Sequence, residues 1–299
     1  MPNKELKVVF FGTSEFAEVV LSKLIEANLN ILAVVTQADK PVGRKKVMTP
    51  PLVKVLAEKN KISVYQGEYK DIPLKEADIF IIADYGEIIS KKILEIPKYG
   101  ALNIHPSLLP EYRGPSPIQY TLLNGDKETG VTIIKMDEKM DHGDIVDIKK
   151  YEINRDETYI DLIEQLAELG AKTLIRLLPK YISKKIKLNE QDHNKATYTK
   201  KIEKKNGEID WNKPADEIYN QWRAYIKWPG IFSQNIKFNE IEIYRERIEN
   251  DNTKLGELFK ENKKLLVKCQ KDSYLEIFKL QPQGKKEMDS KSYINGYLK

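Results

Sequence analysis

The chain has 299 residues, of which 41% are hydrophobic and 32% charged, enough apolar material for two folded cores and too much for a disordered chain. A lone cysteine, Cys269, excludes an internal disulfide framework and a cysteine-cluster zinc site, and fits a reducing compartment. The net charge of +5 is unevenly spread: residues 1–177 carry 24 basic and 27 acidic side chains, residues 178–208 carry 9 and 4, and residues 209–299 carry 17 and 14.

No apolar stretch reaches the roughly 20 residues of a membrane helix. The first residues place Glu5 and Glu15 on either side of a short apolar run, without the long uncharged core of a signal peptide. The expectation is a soluble, cytoplasmic protein with no membrane partner.

In chain order, KVVFF at 7–11 reads as a strand that ends at Gly12, and 14–27 carries a helical apolar stripe through Phe16, Val19, Val20, Leu24 and Ile25. Strands follow at 31–36, 62–65, 79–83 and 101–105, with a helix at 51–59. These runs are continuously apolar rather than alternating, the pattern of a parallel sheet covered on both faces. Later strands are expected at 131–136 and 145–153, then a long helix at 159–178. Beyond residue 190 the texture changes: a helix at 215–222 precedes short β-rich stretches at 231–236, 241–244, 265–268 and 274–280. The fold predicted is an α/β, doubly wound, mostly parallel Rossmann-like domain (1–189), a basic linker (190–208) and a small OB-like β-barrel domain (209–299).

The turn after the first strand has a single glycine, Gly12, where a dinucleotide fingerprint needs three. Glu15 already complements the helix dipole there, which argues against an anion site. In such a sheet ligands still bind beyond the carboxyl ends of the strands.

Three clusters carry possible chemistry. In Asn103-Ile-His105-Pro106 the two polar residues are two apart, so an extended chain puts them on one face with Ile104 on the other. Pro106 holds His105 extended at the strand end. A histidine there can move a proton and an asparagine amide can complete an oxyanion site. The plainer alternative is a histidine satisfied by backbone contacts. In the second cluster Asp137, Asp141 and Asp144 crowd a turn with His142 and Gly143. Metal binding lacks a ligand register there, which leaves an Asp-x-Gly turn and a carboxylate that orients an imidazole as equal readings. The third is a basic loop, Gly43-Arg44-Lys45-Lys46, able to meet a phosphate backbone or to be an ordinary exposed loop. The lysine-rich run around Lys200, Lys201, Lys204 and Lys205 reads either as a solvated linker or as a strip for a polyanion.

Together, FFGTSEFA (10–17), TQADKPVGRKK (36–46), ADYGEIIS (83–90), NIHPSLLPEYRGPSPIQ (103–119), NGDKETGVTIIKMDEKMDHGDI (124–145), YTKKIEKKNGEIDW (198–211), WPG (228–230) and LQPQGKKEM (280–288) resemble the folate-dependent formyltransferase superfamily, in its methionyl-tRNA branch. The resemblance covers nearly the whole chain in order. It implies formyl transfer from 10-formyltetrahydrofolate to the α-amino group of methionyl-initiator tRNA, without a metal and by a monomer. It implies Asn103, His105 and Asp141 as the catalytic triad. Ser107, Leu108, Leu109 and Pro110 fall on the folate-binding segment, with the backbone of Gly86, Glu87 and Ile88 beside the pterin. Arg44, Lys45 and Lys46, with Lys200, Lys201, Lys204 and Lys205, fall on regions that meet tRNA. A formyltransferase for a sugar nucleotide or a glycinamide ribonucleotide would share the triad without needing the basic strip. A non-catalytic RNA-binding protein on the same scaffold would not need the triad. Three positions depart from the family pattern: Asp84 beside the pterin segment, His142 after the catalytic aspartate, and a basic loop with no second glycine.

Overall fold

The first β-rich run forms strand β1 (Lys7–Gly12), and Ser14 caps the helix that follows, α1 (Glu15–Glu26), by accepting a hydrogen bond from the Ala17 amide. Gly12 is dictated by space: a Cβ there would lie 2.6 Å from the Ala17 Cβ and 2.9 Å from the Ala83 carbonyl oxygen. The glycine lets strand, helix and neighbouring strand close on one another, a use that needs no nucleotide. The computed structural model describes residues 5–43, 45–67, 72–248 and 252–298, and the chain divides into two units.

The first unit (Met1–Pro117, Glu128–Ile153, Asp161–Lys200) continues with β2 (Asn30–Thr36), a hairpin of β3 (Lys40–Val42) and β4 (Val47–Thr49), α2 (Leu52–Lys59), β5 (Ser63–Gln66), β6 (Ile79–Ala83), α3 (Lys91–Leu94) and β7 (Ala101–His105). After helix α4 (Pro117–Asn124), most of which groups with the second unit, come β8 (Glu128–Lys135), β9 (Asp144–Glu152) and α5 (Tyr159–Ile182). The seven-stranded sheet runs β5-β2-β1-β6-β7-β8-β9, parallel through β7 and antiparallel thereafter. On one face Val9, Phe11, Val35, Phe80 and Ile82 pack with Tyr85, Ile89 and Leu94. On the other Ile104 and Val131 meet Gly170 of α5. Each fully buried Leu, Ile or Phe in such a core contributes about 1.5–3 kcal/mol.

The second unit (Ile118–Lys127, Asn154–Ile160, Lys201–Lys299) holds α6 (Ala215–Tyr225), β10 (Ile231–Ser233), β11 (Ile236–Tyr244), β12 (Leu258–Glu261), β13 (Lys264–Cys269), β14 (Ser273–Pro282), β15 (Met288–Asp289) and α7 (Ser290–Tyr297). Its six strands form an antiparallel sheet ordered β10-β11-β14-β13-β12, with β15 also on β14. The thiol of Cys269 is fully buried in β13, and that burial pushes its pKa up to about 12. Among the described residues no helix is long and apolar enough to cross a membrane.

Two details of the second unit differ from the sequence reading. The stretch 231–236 is not one strand, because Gln234, at φ 51°, turns the chain between β10 and β11. Strand β12 was not expected; it pairs with β13 through Asn262 and Lys263, whose φ values of 47° and 67° match a tight hairpin turn. In the first unit the basic loop connects β3 and β4, which pair as a hairpin. Of the segment 190–208, expected as a linker, residues up to Lys200 group with the first unit and those from Lys201 with the second. Replacement of Gly12 by Ala should cost about 1–3 kcal/mol through overpacking, read as a lower midpoint in urea unfolding; an unchanged midpoint contradicts the close approach.

Candidate active site

Strand β7 ends with Asn103 and His105 on the same face, as a two-residue spacing requires. Both reach one carboxylate oxygen. The Asn103 Nδ2 lies 3.4 Å from Asp141 Oδ1, and His105 Nδ1 lies 3.5 Å from the same atom. The His105 and Asp141 side chains are 5% and 12% exposed, so their interaction is little screened. The other ring nitrogen, His105 Nε2, donates to the Tyr112 carbonyl at 3.0 Å. Both ring nitrogens thus face oxygen acceptors.

The second oxygen of Asp141 accepts from the Gly114 amide at 2.8 Å. Gly114 is required there: its φ is +111°, and a Cβ would lie 2.8 Å from Thr199 Oγ1. Asp141 itself sits at φ +50° between β8 and β9, a left-handed conformation that aspartate tolerates better than most residues. The three acids of this turn take different roles. Asp137 accepts from His142 Nδ1 at 2.6 Å, Asp141 faces the imidazole, and Asp144 starts β9 opposite Lys135. His142 stacks on His193 with ring centroids 4.0 Å apart.

The segment Ser107–Pro110 follows directly. Its Ser107 hydroxyl donates to the Glu111 carbonyl at 2.6 Å, and Thr132 Oγ1 donates to the Ser107 carbonyl at 2.7 Å while accepting from the Leu109 amide at 3.1 Å. Ser107 and Leu109 are buried, and Leu108 and Pro110 half-buried. The segment is therefore a pinned turn directly after the strand end that carries Asn103 and His105. Gly86, Glu87 and Ile88 lie after β6, all exposed, Ile88 to 91%. A cavity of about 690 Å³, within the range of ligand sites, opens beside the turn that carries Asp141, between α3, the start of β7 and residues 135–139. Neither 86–88 nor 107–110 lines it.

At the carboxyl ends of β1, β2 and β6 the loops are tied together. Thr13 Oγ1 donates to the Tyr85 carbonyl at 2.8 Å, and the Gln37 amide donates to Thr13 Oγ1 at 3.3 Å. The root of the hairpin is held by Lys54, which donates to Asp39 at 3.0 Å. Lys45 and Lys46 are exposed near the hairpin tip; Arg44 lies outside the described residues. Lys200, Lys201, Lys204 and Lys205 are all exposed, Lys200 in the first unit and the rest in the second, and Lys205 pairs with Glu203 at 2.8 Å.

Asp84 opens the turn after β6 at φ 39°. The residue presents surface to solvent, yet the protein around its carboxyl group displaces water from it. That desolvation, with repulsion from Asp141, holds its pKa above the ordinary 3.8 against the opposing pull of the Ser14 hydroxyl and His105. Tyr112 and Gly114 were not anticipated as partners of the triad; the Tyr-Arg-Gly stretch was legible, but its contacts needed the fold.

The profile described as formyl transferase matches residues 6–178, and that of the formyl transferase C-terminal domain matches 201–298. A methionyl-tRNA formyltransferase of Caldicellulosiruptor saccharolyticus is 42% identical over 98% of this chain and 97% of its own. One from Bacillus cytotoxicus is 38% identical over 97% and 96%. An N-formyltransferase of Helicobacter canadensis, solved with folinic acid and dTDP-3-aminofucose, superposes with a TM-score of 0.69 at 22% identity, covering 91% of this chain and 98% of that one. At that identity the likeness is one of fold.

A folded state that raises the pKa of Asp84 favours its protonated form, so the ionised carboxylate weakens the fold once pH exceeds the folded pKa. Asp84→Asn should therefore raise the thermal midpoint at neutral pH, with the gain fading as pH falls towards the ordinary value of 3.8. A gain that is constant with pH contradicts the assignment.

Proposed function

The chain belongs to the formyl transferase family, and on that premise we propose that it formylates methionyl-initiator tRNA. The donor is 10-formyltetrahydrofolate, the acceptor is the α-amino group of the esterified methionine, and the product, N-formylmethionyl-tRNA, serves translation initiation. The observation that carries this reading is the 42% identity, over 98% of this chain, to a methionyl-tRNA formyltransferase, and it is supported by the approach of Asn103 and His105 to one oxygen of Asp141 at the end of a central strand.

The folate supplies a formyl carbon open to attack by an amine. As the amine adds, negative charge grows on the formyl oxygen, and the Asn103 amide and His105 N–H are the donors able to meet it. Asp141 keeps the imidazole oriented and can accept the amine proton directly or through water; as the carbonyl re-forms, the bond from the formyl carbon to the folate nitrogen breaks, and the proton passes by way of His105 to that departing nitrogen. Gly86 to Ile88 and Ser107 to Pro110 are proposed to hold the folate, the exposed Ile88 offering an apolar surface to a flat ring. Arg44, Lys45 and Lys46 would contact the acceptor end of tRNA from a hairpin whose root is tied to the same loop cluster as Asp84. Lys200, Lys201, Lys204 and Lys205 add positive charge. The chain is proposed to act as a monomer in the cytoplasm without a metal.

A sugar-nucleotide acceptor would use the same triad but has little need of these lysines. Offering labelled donor with methionyl-tRNA and sugar nucleotides side by side should label only the tRNA; label on the sugar nucleotide alone overturns the reading. Asn103→Ala should lower kcat by the equivalent of about 2.7–4 kcal/mol with KM nearly unchanged; an unchanged kcat removes Asn103 from the chemistry. Binding of methionyl-tRNA should weaken as salt rises, because phosphate contacts release counterions. Lys45→Ala with Lys46→Ala should flatten that dependence and leave the KM for folate alone, as steady-state kinetics and a salt titration would read.

A further inference from the structure

The turn that presents Asp141 is held by a side chain distant in sequence. Gln191 is 4% exposed, and its Nε2 donates to the carbonyls of Asp141 at 2.9 Å and Gly143 at 2.8 Å. One amide therefore clamps the backbone on both sides of His142, while Asp141 holds a left-handed φ of 50°. The Gln191 oxygen is fixed in turn: it accepts from Arg113 Nη2 at 2.6 Å and from Nε at 3.3 Å. Arg113 is 2% exposed, and the same Nη2 donates to His193 Nδ1 at 2.9 Å. The Arg113 amide donates to the Thr197 carbonyl at 2.9 Å and its carbonyl accepts from the Thr199 amide at 2.7 Å.

We propose that Gln191, oriented by Arg113, is a positioning residue that sets the Asp141 carboxylate against His105 and Asn103. The backbone on either side of Arg113 serves the same centre, Tyr112 through its carbonyl on His105 and Gly114 through its amide on Asp141. A buried guanidinium is costly unless its donors are met. Here its Nε and Nη2 meet an amide oxygen and an imidazole nitrogen rather than a carboxylate. Gln191 does not touch the reacting atoms; it acts through the peptide groups of the turn. This role deepens the formyl-transfer reading and rests on it for its catalytic consequence.

Gln191→Glu separates the two halves of the side chain. A glutamate keeps an acceptor for Arg113, so the fold should persist, but has no N–H for the two carbonyls. In the full-length protein, kcat for formylation should fall by as much as ~100-fold, the cost of a misplacement near 1 Å, with KM values for both substrates little changed. Asp141→Asn should cost far less in the Gln191→Glu background than in the wild type. Amide hydrogen exchange gives a readout independent of turnover: the Gly114 N–H, whose acceptor is Asp141, should lose protection in Gln191→Glu while the central strands keep theirs. A folded Gln191→Glu protein with wild-type kcat and an equally protected Gly114 overturns the proposal. A wild-type protein that fails to formylate methionyl-tRNA, yet whose Gly114 protection depends on Gln191, overturns the functional reading and leaves the positioning role in place.

Discussion

One carboxylate, Asp141, holds the candidate site together. Its Oδ1 is approached by an imidazole and an amide, its Oδ2 by a backbone N–H, and its own carbonyl by a buried glutamine. None of these four partners lies on the turn that bears it. Asn103 and His105 come from β7, Gly114 from the loop after it, and Gln191 from the chain beyond α5. The aspartate is thus defined by tertiary structure, and its left-handed φ persists because the surroundings over-determine it.

The sheet explains why the centre lies where it does. From β1 the chain steps outward to β2 and β5, and then returns to β6 and β7 on the other side. In an open α/β sheet the carboxyl ends at such a reversal are the usual place for a ligand. The loops at that edge, carrying Thr13, Gln37 and Tyr85, are joined by hydrogen bonds. β8 then runs antiparallel to β7, pairing His105 with Thr132, and Thr132 fixes the turn at Ser107 and Leu109.

Much of this was legible in the residues because local rules and global fold agree there. Continuous apolar runs such as 79–83 can be strands buried on both faces, and a polar pair two apart at a strand end has to share a face. The Asn-x-His pairing was readable for that reason, and Asp141 was readable as one of two equal options. What escaped reading depended on partners far apart in sequence. Nothing in QDHNKATYT marks Gln191 as a clamp on residues 48 to 50 positions earlier. The turns at Gln234 and at Asn262-Lys263 escaped because they adopt positive φ without glycine, the residue that usually announces it. The lysine run suggested a linker by composition alone, although Thr197 and Thr199, lying just before it, pair with Arg113.

Asp84 and Asp141 also bear on what the centre suits. Burial and repulsion from Asp141 disfavour the ionised form of Asp84, and His105 offsets part of that repulsion. An amine acceptor reaches such a site as an ammonium or close to one, and its positive charge relieves the same repulsion. To attack, the amine must lose its proton, and a carboxylate at the centre is the group able to take it. A hydroxyl acceptor would bring no charge and gain nothing from the pair. On the proposed reading the acids suit an amine as the group that receives the formyl carbon, while the lysines of the hairpin would meet the anionic body to which that amine is attached. On that proposal, acceptor chemistry and acceptor size are assigned to separate charges of opposite sign.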